Sequence, residues 1–273
     1  MVVLFFGDIY GKPGRRAIQK SLPLLKQKYE PDFILGNVEN LAGGRGVNNK
    51  CFNEMINLGF HGFTSGNHIW DNKEVYGLFE KGAPLVRPAN YPSPEGFPCP
   101  GYGATVIRNQ AGQEIFVINL MGRVFMENTD CPFALVDQIL REQKSSAPIL
   151  VDMHADATSE KNAMGWFLDG RVAAVVGTHS HVQTADERVL PAGTAYITDI
   201  GMSGSFDSVI GLRPHEVIRK FLTKRPHPVA AAKENLGISC VVIQISPNQR
   251  AQSIERIRTT VDVPEFLDEK DLE

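Results

Sequence analysis

Five times in this chain a short apolar run stops at a polar cluster rich in Asp, Glu, Asn and His. The runs are "VVLFFGD" (2–8), "PDFILGNVEN" (31–40), "GFTSGNHIWD" (62–71), "APILVDMHAD" (147–156) and "VAAVVGTHSH" (172–181). Apolar runs this short, bounded by glycine and polar punctuation, read as buried strands. Helical spacing separates the first three, in "RRAIQKSLPLLKQKY" (15–29) and "CFNEMINLGF" (51–60). Pro13 suits a first helical turn, Pro23 is predicted to interrupt the first helix, and the second should stop near Gly59. Alternating strand and helix predict an α/β fold built on parallel strands. In such sheets ligands bind outside the carboxyl ends of the strands, so the polar clusters are expected to converge.

The remainder is more β-rich. Residues 82–103 are dense in Pro and Gly and read as a long irregular connection, and 103–120 as a hairpin turning at "NQAGQ". Helices are expected at 131–143 and 159–171. Late strands follow at 193–204, then a hairpin over 237–260 around "SPNQ". No repeat or linker divides the chain, and its 273 residues are enough for a sizeable core. The reading is one domain over 1–273. Its end, about 261–273, is an acidic tail with six acidic residues and one lysine.

Taken singly, each polar cluster has an ordinary explanation. Asp8 or Asn67 could cap a helix or close a turn, Glu39 could be solvated, and His154 could be a hydrogen-bonded core histidine. Turn chemistry gives no reason for five separate strands to end this way. Together Asp8, Glu39 with Asn40, Asn67 with His68, His154, and His179 with His181 offer carboxylates, carboxamides and imidazoles, a set that suits two divalent cations. No cysteine lies in the cluster. The four cysteines are far apart without a C-x-x-C pair, which argues against a zinc cluster or a disulfide framework and for reduced thiols.

A net charge of −3 lacks the basic footprint of a duplex-binding module. A small anionic substrate then needs local positive charge from metal or arginine. Arg15, Arg16, Arg45 and Arg123 are candidates, with Arg45 in the loop "AGGRG" just after Glu39 and Asn40. The N-terminal apolar run is too short for a signal peptide, and no segment is long enough to cross a bilayer, so a cytoplasmic protein is expected.

The ordered blocks "GD" (7–8), "GNVEN" (36–40), "GNH" (66–68), His154 and "GTHSH" (177–181) resemble those of the calcineurin-like metallophosphoesterases. "GDIYGKPGRR", "NVEN", "GNHIWD" and "HADATSEK" are similar to the YmdB-type bacterial phosphodiesterases within that superfamily. Tyr10 stands where the broad superfamily has a histidine, and Glu39 with Asn40 where an aspartate is usual; both departures fit the YmdB-type subgroup. The resemblance implies a four-layer αββα sandwich. It implies one metal held by Asp8, Glu39, Asn40 and His181, and a second by Glu39, Asn67, His154 and His179, with Glu39 bridging. The metals would be iron or manganese, with zinc compatible. Hydrolysis of a cyclic nucleotide, 2′,3′ or 3′,5′, would follow by attack of a hydroxide held on the metals, with His68 as proton donor. A phosphomonoesterase, a ribonuclease or a regulatory scaffold on the same site stay open. So do an RNA or protein partner and a homo-oligomer.

Two other readings fail on spacing. "GDIYGKPG" is one residue short of a phosphate-binding P-loop and has Pro where that motif needs Ser or Thr. "GMSGS" (201–205) is not the G-x-S-x-G elbow of a serine hydrolase.

Overall fold

Strand β1 (Val2–Ile9) is apolar on both faces, and its two faces enter different cores. Val3 and Phe5 join one cluster, Leu4 and Phe6 another. A strand buried on both faces needs a layer on each side, which is the root of the architecture. The computed structural model describes residues 1–262. All but the first two residues of the acidic tail expected at 261–273 lie outside them.

After β1 come α1 (Gly11–Tyr29), β2 (Phe33–Asn37), α2 (Asn49–Asn57), β3 (Gly62–Thr64) and α3 (Glu74–Glu80). The hairpin β4 (Ala104–Arg108) and β5 (Glu114–Met121) follows, then α4 (Pro132–Glu142), β6 (Ile149–His154), α5 (Thr158–Leu168) and β7 (Ala174–Thr178). The chain continues through β8 (Arg188–Val189), β9 (Ala195–Ile197), β10 (Met202–Ser205), α6 (Pro214–Thr223), β11 (Leu236–Ile245) and β12 (Ala251–Thr260).

The strands form two six-stranded sheets, ordered β12-β11-β10-β1-β2-β3 and β4-β5-β6-β7-β9-β8. In the first, β1 runs parallel to β2 and β10 and antiparallel to β11. In the second, β5, β6, β7 and β9 are parallel. Val3, Phe5, Leu35, Val241 and Ile243 of the first sheet pack against Val117, Leu150, Val176 and Ile197 of the second. The outer face of the first sheet is covered by Ala17, Ile18 and Leu22 of α1 and Phe52 and Met55 of α2. That of the second is covered by Val136 of α4 and Met164 and Leu168 of α5. Helices, sheet, sheet, helices: this is the four-layer αββα sandwich of the metallophosphoesterase type.

Three departures from the sequence reading have physical causes. Helix α1 runs through Pro23 rather than breaking there. Ser21, Leu22 and Leu25 stay buried on either side of it, while Pro23 and Gln19 face solvent, where water can satisfy the Gln19 carbonyl that loses its helical donor. Residues 193–204 hold two strands in different sheets, β9 and β10, joined across Thr198–Gly201. Helices α3 and α6 and the two-residue strand β8 were not foreseen.

Candidate metal centre

The first shaping element is backbone. Strands β1, β2 and β3 of one sheet and β6 and β7 of the other end at the same place. Asp8 lies within β1, His154 is the last residue of β6, and Glu39, Asn40, Asn67, His68, His179 and His181 follow β2, β3 and β7. Close approach needs room. A Cβ on Gly66 would stand 2.2 Å from His154 Nε2 and 2.3 Å from Glu39 Oε2, so only glycine lets "GNH" pass there. His179 and His181 hold φ of 105° and 63°, the left-handed region that costs a non-glycine residue about 1–3 kcal/mol.

The side chains fall into two groups that share Glu39. Donor atoms of Glu39, His154 and His179 lie within 4.8 Å of one another, and so do those of Asp8, Glu39 and His181. His154 Nε2 is 3.2 Å from Glu39 Oε2, 3.0 Å from Asn67 Oδ1 and 3.1 Å from His179 Nδ1. His181 Nε2 is 3.1 Å from Asn40 Oδ1. Asp8 Oδ2 accepts the His179 amide at 3.1 Å, and its Oδ1 is buried with no hydrogen-bond partner among the described residues.

Neighbouring groups aim these atoms inward. Thr178 Oγ1 gives its proton to Asp152 Oδ1 at 2.7 Å and so accepts from His154 Nδ1 at 2.8 Å. His181 Nδ1 donates to the Ile210 carbonyl at 3.0 Å. In both rings Nε2 is left as the nitrogen facing the site. The Asn40 amide donates to the Gly44 carbonyl at 2.9 Å, which turns Oδ1 toward His181.

The electrostatics favour a cation at this spot. Burial holds Asp8 well above the usual carboxylate range; Glu39 and Asp199 add to the rise, and His154 opposes it. Burial would also raise Glu39, but the charge and hydrogen bond of His154, with help from His68, carry it below its usual value. Burial would lower His154, but Glu39, Asp8 and Asp152 outweigh it and raise it. His179 is pushed down to about 3 by burial and by the adjacent His154, so its lone pair stays free. Oxygen and imidazole donors without sulfur, in a field that favours positive charge, fit hard or borderline divalent cations. The unpartnered Asp8 Oδ1 is the clearest sign of that fit.

Residues 4–257 match the profile of YmdB-like proteins. The chain belongs to the YmdB-like family. A curated relative, the 2′,3′-cyclic-nucleotide 2′-phosphodiesterase of Bacillus subtilis (strain 168), is 46% identical over 259 residues, covering 94% of this chain and 96% of its own. Two solved structures share the fold. One, a Mycoplasma pneumoniae phosphatase, superposes with a TM-score of 0.89 at 34% identity, over 98% of this chain and 96% of the other. The other, a hypothetical protein from Thermus thermophilus, gives 0.87 at 39% identity, over 95% and 99%.

In this YmdB-like chain His68 lies at the rim. Its amide donates to Glu39 Oε2 at 3.1 Å, and Nδ1 donates to Asp71 Oδ2 at 2.9 Å. Of the arginines, Arg15 is not available to a phosphate: it pairs with Glu54 at 2.7 Å and with the Leu41 carbonyl at 2.8 Å, tying α1 to α2. Arg16 is partly buried on α1, while Arg45 and Arg123 are exposed.

Sequence reasoning missed the layer beneath the site. Asp152 accepts from Thr64 Oγ1, Thr178 Oγ1 and Asn37 Nδ2, all buried. The available signal was an aspartate inside the apolar run "PILVDMH", where a charge is costly unless something needs it.

Proposed function

We propose that this chain is a metal-dependent phosphodiesterase acting on cyclic nucleotides, with 2′,3′-cyclic mononucleotides as its substrate class. The observation that carries the reading is the pair of donor groups joined through Glu39. Asp8, Glu39, Asn40 and His181 would hold one cation, and Glu39, Asn67, His154 and His179 the other. Cations so held supply positive charge against phosphoryl oxygens and acidify water, the main need of phosphoryl transfer. The 46% identity to a 2′,3′-cyclic-nucleotide 2′-phosphodiesterase across almost the full length of both chains supports this choice of substrate class.

The chain's own residues then do three things. The buried Asp8, Glu39 and His154, with the half-buried His179 and His181, would fix the centre where the strand ends of the two sheets meet. The Thr178–Asp152 contact and the Ile210 carbonyl keep the rings of His154 and His181 in one tautomer. His68, anchored at Nδ1 by Asp71, presents Nε2 to the leaving oxygen; as the doubly protonated ring it gives up its Nε2 proton while water adds to phosphorus, the P–O bond breaks and the water's own proton passes to solvent.

The test is elemental analysis of the purified protein, followed by rates on 2′,3′-cyclic AMP, 3′,5′-cyclic AMP, a simple monoester and single-stranded RNA. The expected outcome is bound iron, manganese or zinc and fastest turnover of 2′,3′-cyclic AMP. Fastest turnover of the monoester or the RNA would overturn the substrate class.

A further inference from the structure

One buried ion pair beside the centre has no part in holding cations or donating protons. Lys161 of α5 and Asp199, in the turn after β9, meet at 2.7 Å with side chains 1% and 0% exposed. Asp199 is held by more than the lysine. Its Oδ2 also accepts the Ser180 amide at 3.0 Å, and its Oδ1 accepts the Gly201 amide at 2.7 Å. Ser180 is the residue between His179 and His181. The Gly201 carbonyl in turn accepts the Asp8 amide at 2.9 Å. One carboxylate therefore fixes the peptide between two histidines and the turn on which Asp8 hangs.

The path of Lys161 gives the glycine of "GTHSH" a second meaning. A Cβ on Gly177 would stand 1.8 Å from the Thr198 carbonyl oxygen and 2.8 Å from Lys161 Cδ. The missing side chain leaves room first for the Thr198 carbonyl and, beside it, for the lysine stem that reaches Asp199. A helix residue, a motif glycine and a turn carboxylate are thus combined in one device.

We propose that Lys161 and Asp199 are positioning residues for the metal centre, an inference that rests on the metal reading above. Neither is among the donor atoms. The carboxylate holds the Ser180 peptide, and with it the left-handed backbone of His179 and His181. The lysine neutralises a carboxylate that would otherwise be a third acidic group near Asp8 and Glu39. Without it, Asp199 would compete for the cation or draw the loop out of place.

The experiment uses full-length protein and Mn²⁺ as the probe. Lys161→Met keeps the stem but removes the donor; Lys161→Met with Asp199→Asn removes both charges and leaves one acceptor for two amides. Three readouts separate positioning from bulk stability: Mn²⁺ affinity by calorimetry, hydrogen exchange of the Ser180 amide in metal-free protein, and the melting temperature. Both variants are expected to bind Mn²⁺ about 10–100-fold more weakly, the range for groups that orient ligands. Ser180 exchange should quicken in both. The double variant should melt closer to wild type than the single one, because no buried charge is left unpaired, and it carries the test if Lys161→Met does not fold. Wild-type Mn²⁺ affinity together with unchanged Ser180 exchange in a folded variant would overturn the inference. If the wild type itself binds no Mn²⁺, the metal reading fails, and Ser180 exchange still decides whether the pair sets the loop.

Discussion

His68 and Asp71 lie three residues apart in "GNHIWD", and their 2.9 Å contact assigns each atom a task. The carboxylate can only accept, so Nδ1 carries the proton of that bond and Nε2 faces outward. In the proposed reaction His68→Gln should lower kcat by roughly 10²–10⁴-fold on a substrate with a poor leaving group. Metal content should stay at the wild-type level by elemental analysis, since His68 is outside both donor groups. A variant that keeps wild-type turnover would remove His68 from the reaction. The residues proposed as donors stood out in the sequence because each lies at or just after the end of an apolar run in a repeated pattern. Asp152, Lys161 and Asp199 were not, because their roles exist only through partners from other elements. Lys161 is 38 residues from Asp199, and nothing near either names the other.

At the scale of elements, strand ends place the chemistry and glycines allow it. Gly66 lets β3 deliver Asn67 within 3.0 Å of His154. Gly66→Ala should therefore leave the fold intact by circular dichroism while weakening Mn²⁺ binding about 10–100-fold, because the added carbon displaces His154 and Glu39 together. Unchanged affinity would mean the loop yields without moving the donors. The main strands and four of the helices were readable from apolar period and punctuation. Helix α6 went unread although Val217, Ile218, Phe221 and Leu222 follow helical spacing; of these Val217 alone is buried, and the other three face solvent. The assignment of β9 and β10 to separate sheets also escaped, since a turn in sequence does not say which sheet the chain enters next.

For the molecule as a whole, acid sensitivity has a source away from the centre. Burial, with the nearby Lys26, holds His61 below its usual value of 6.5, and its Nδ1 accepts the Ile34 amide at 3.0 Å. Protonation would destroy that bond. A histidine lowered in the folded state contributes stability that is complete above about pH 6.5 and is lost as pH falls toward the depressed folded value, because the unfolded chain takes up the proton first. Thermal melts between pH 7.5 and 5 should show a larger loss for wild type than for His61→Asn, whose oxygen can accept from Ile34 but does not titrate. Equal losses would assign the acid sensitivity to other groups.

The seam location of the centre also orders its assembly in time. The His179 amide and the Asp8 carboxylate that receives it are 171 residues apart, and five strand ends from two sheets must meet before the donor set is complete. Closing a loop carries an entropic cost that rises slowly with its length, and folds rich in such long-range pairings form slowly. A chain emerging from the ribosome exposes Asp8 and Glu39 well before His154, His179 and His181 exist. The complete donor set is thus a property of the finished sandwich, and a cation captured there reports that both sheets have docked.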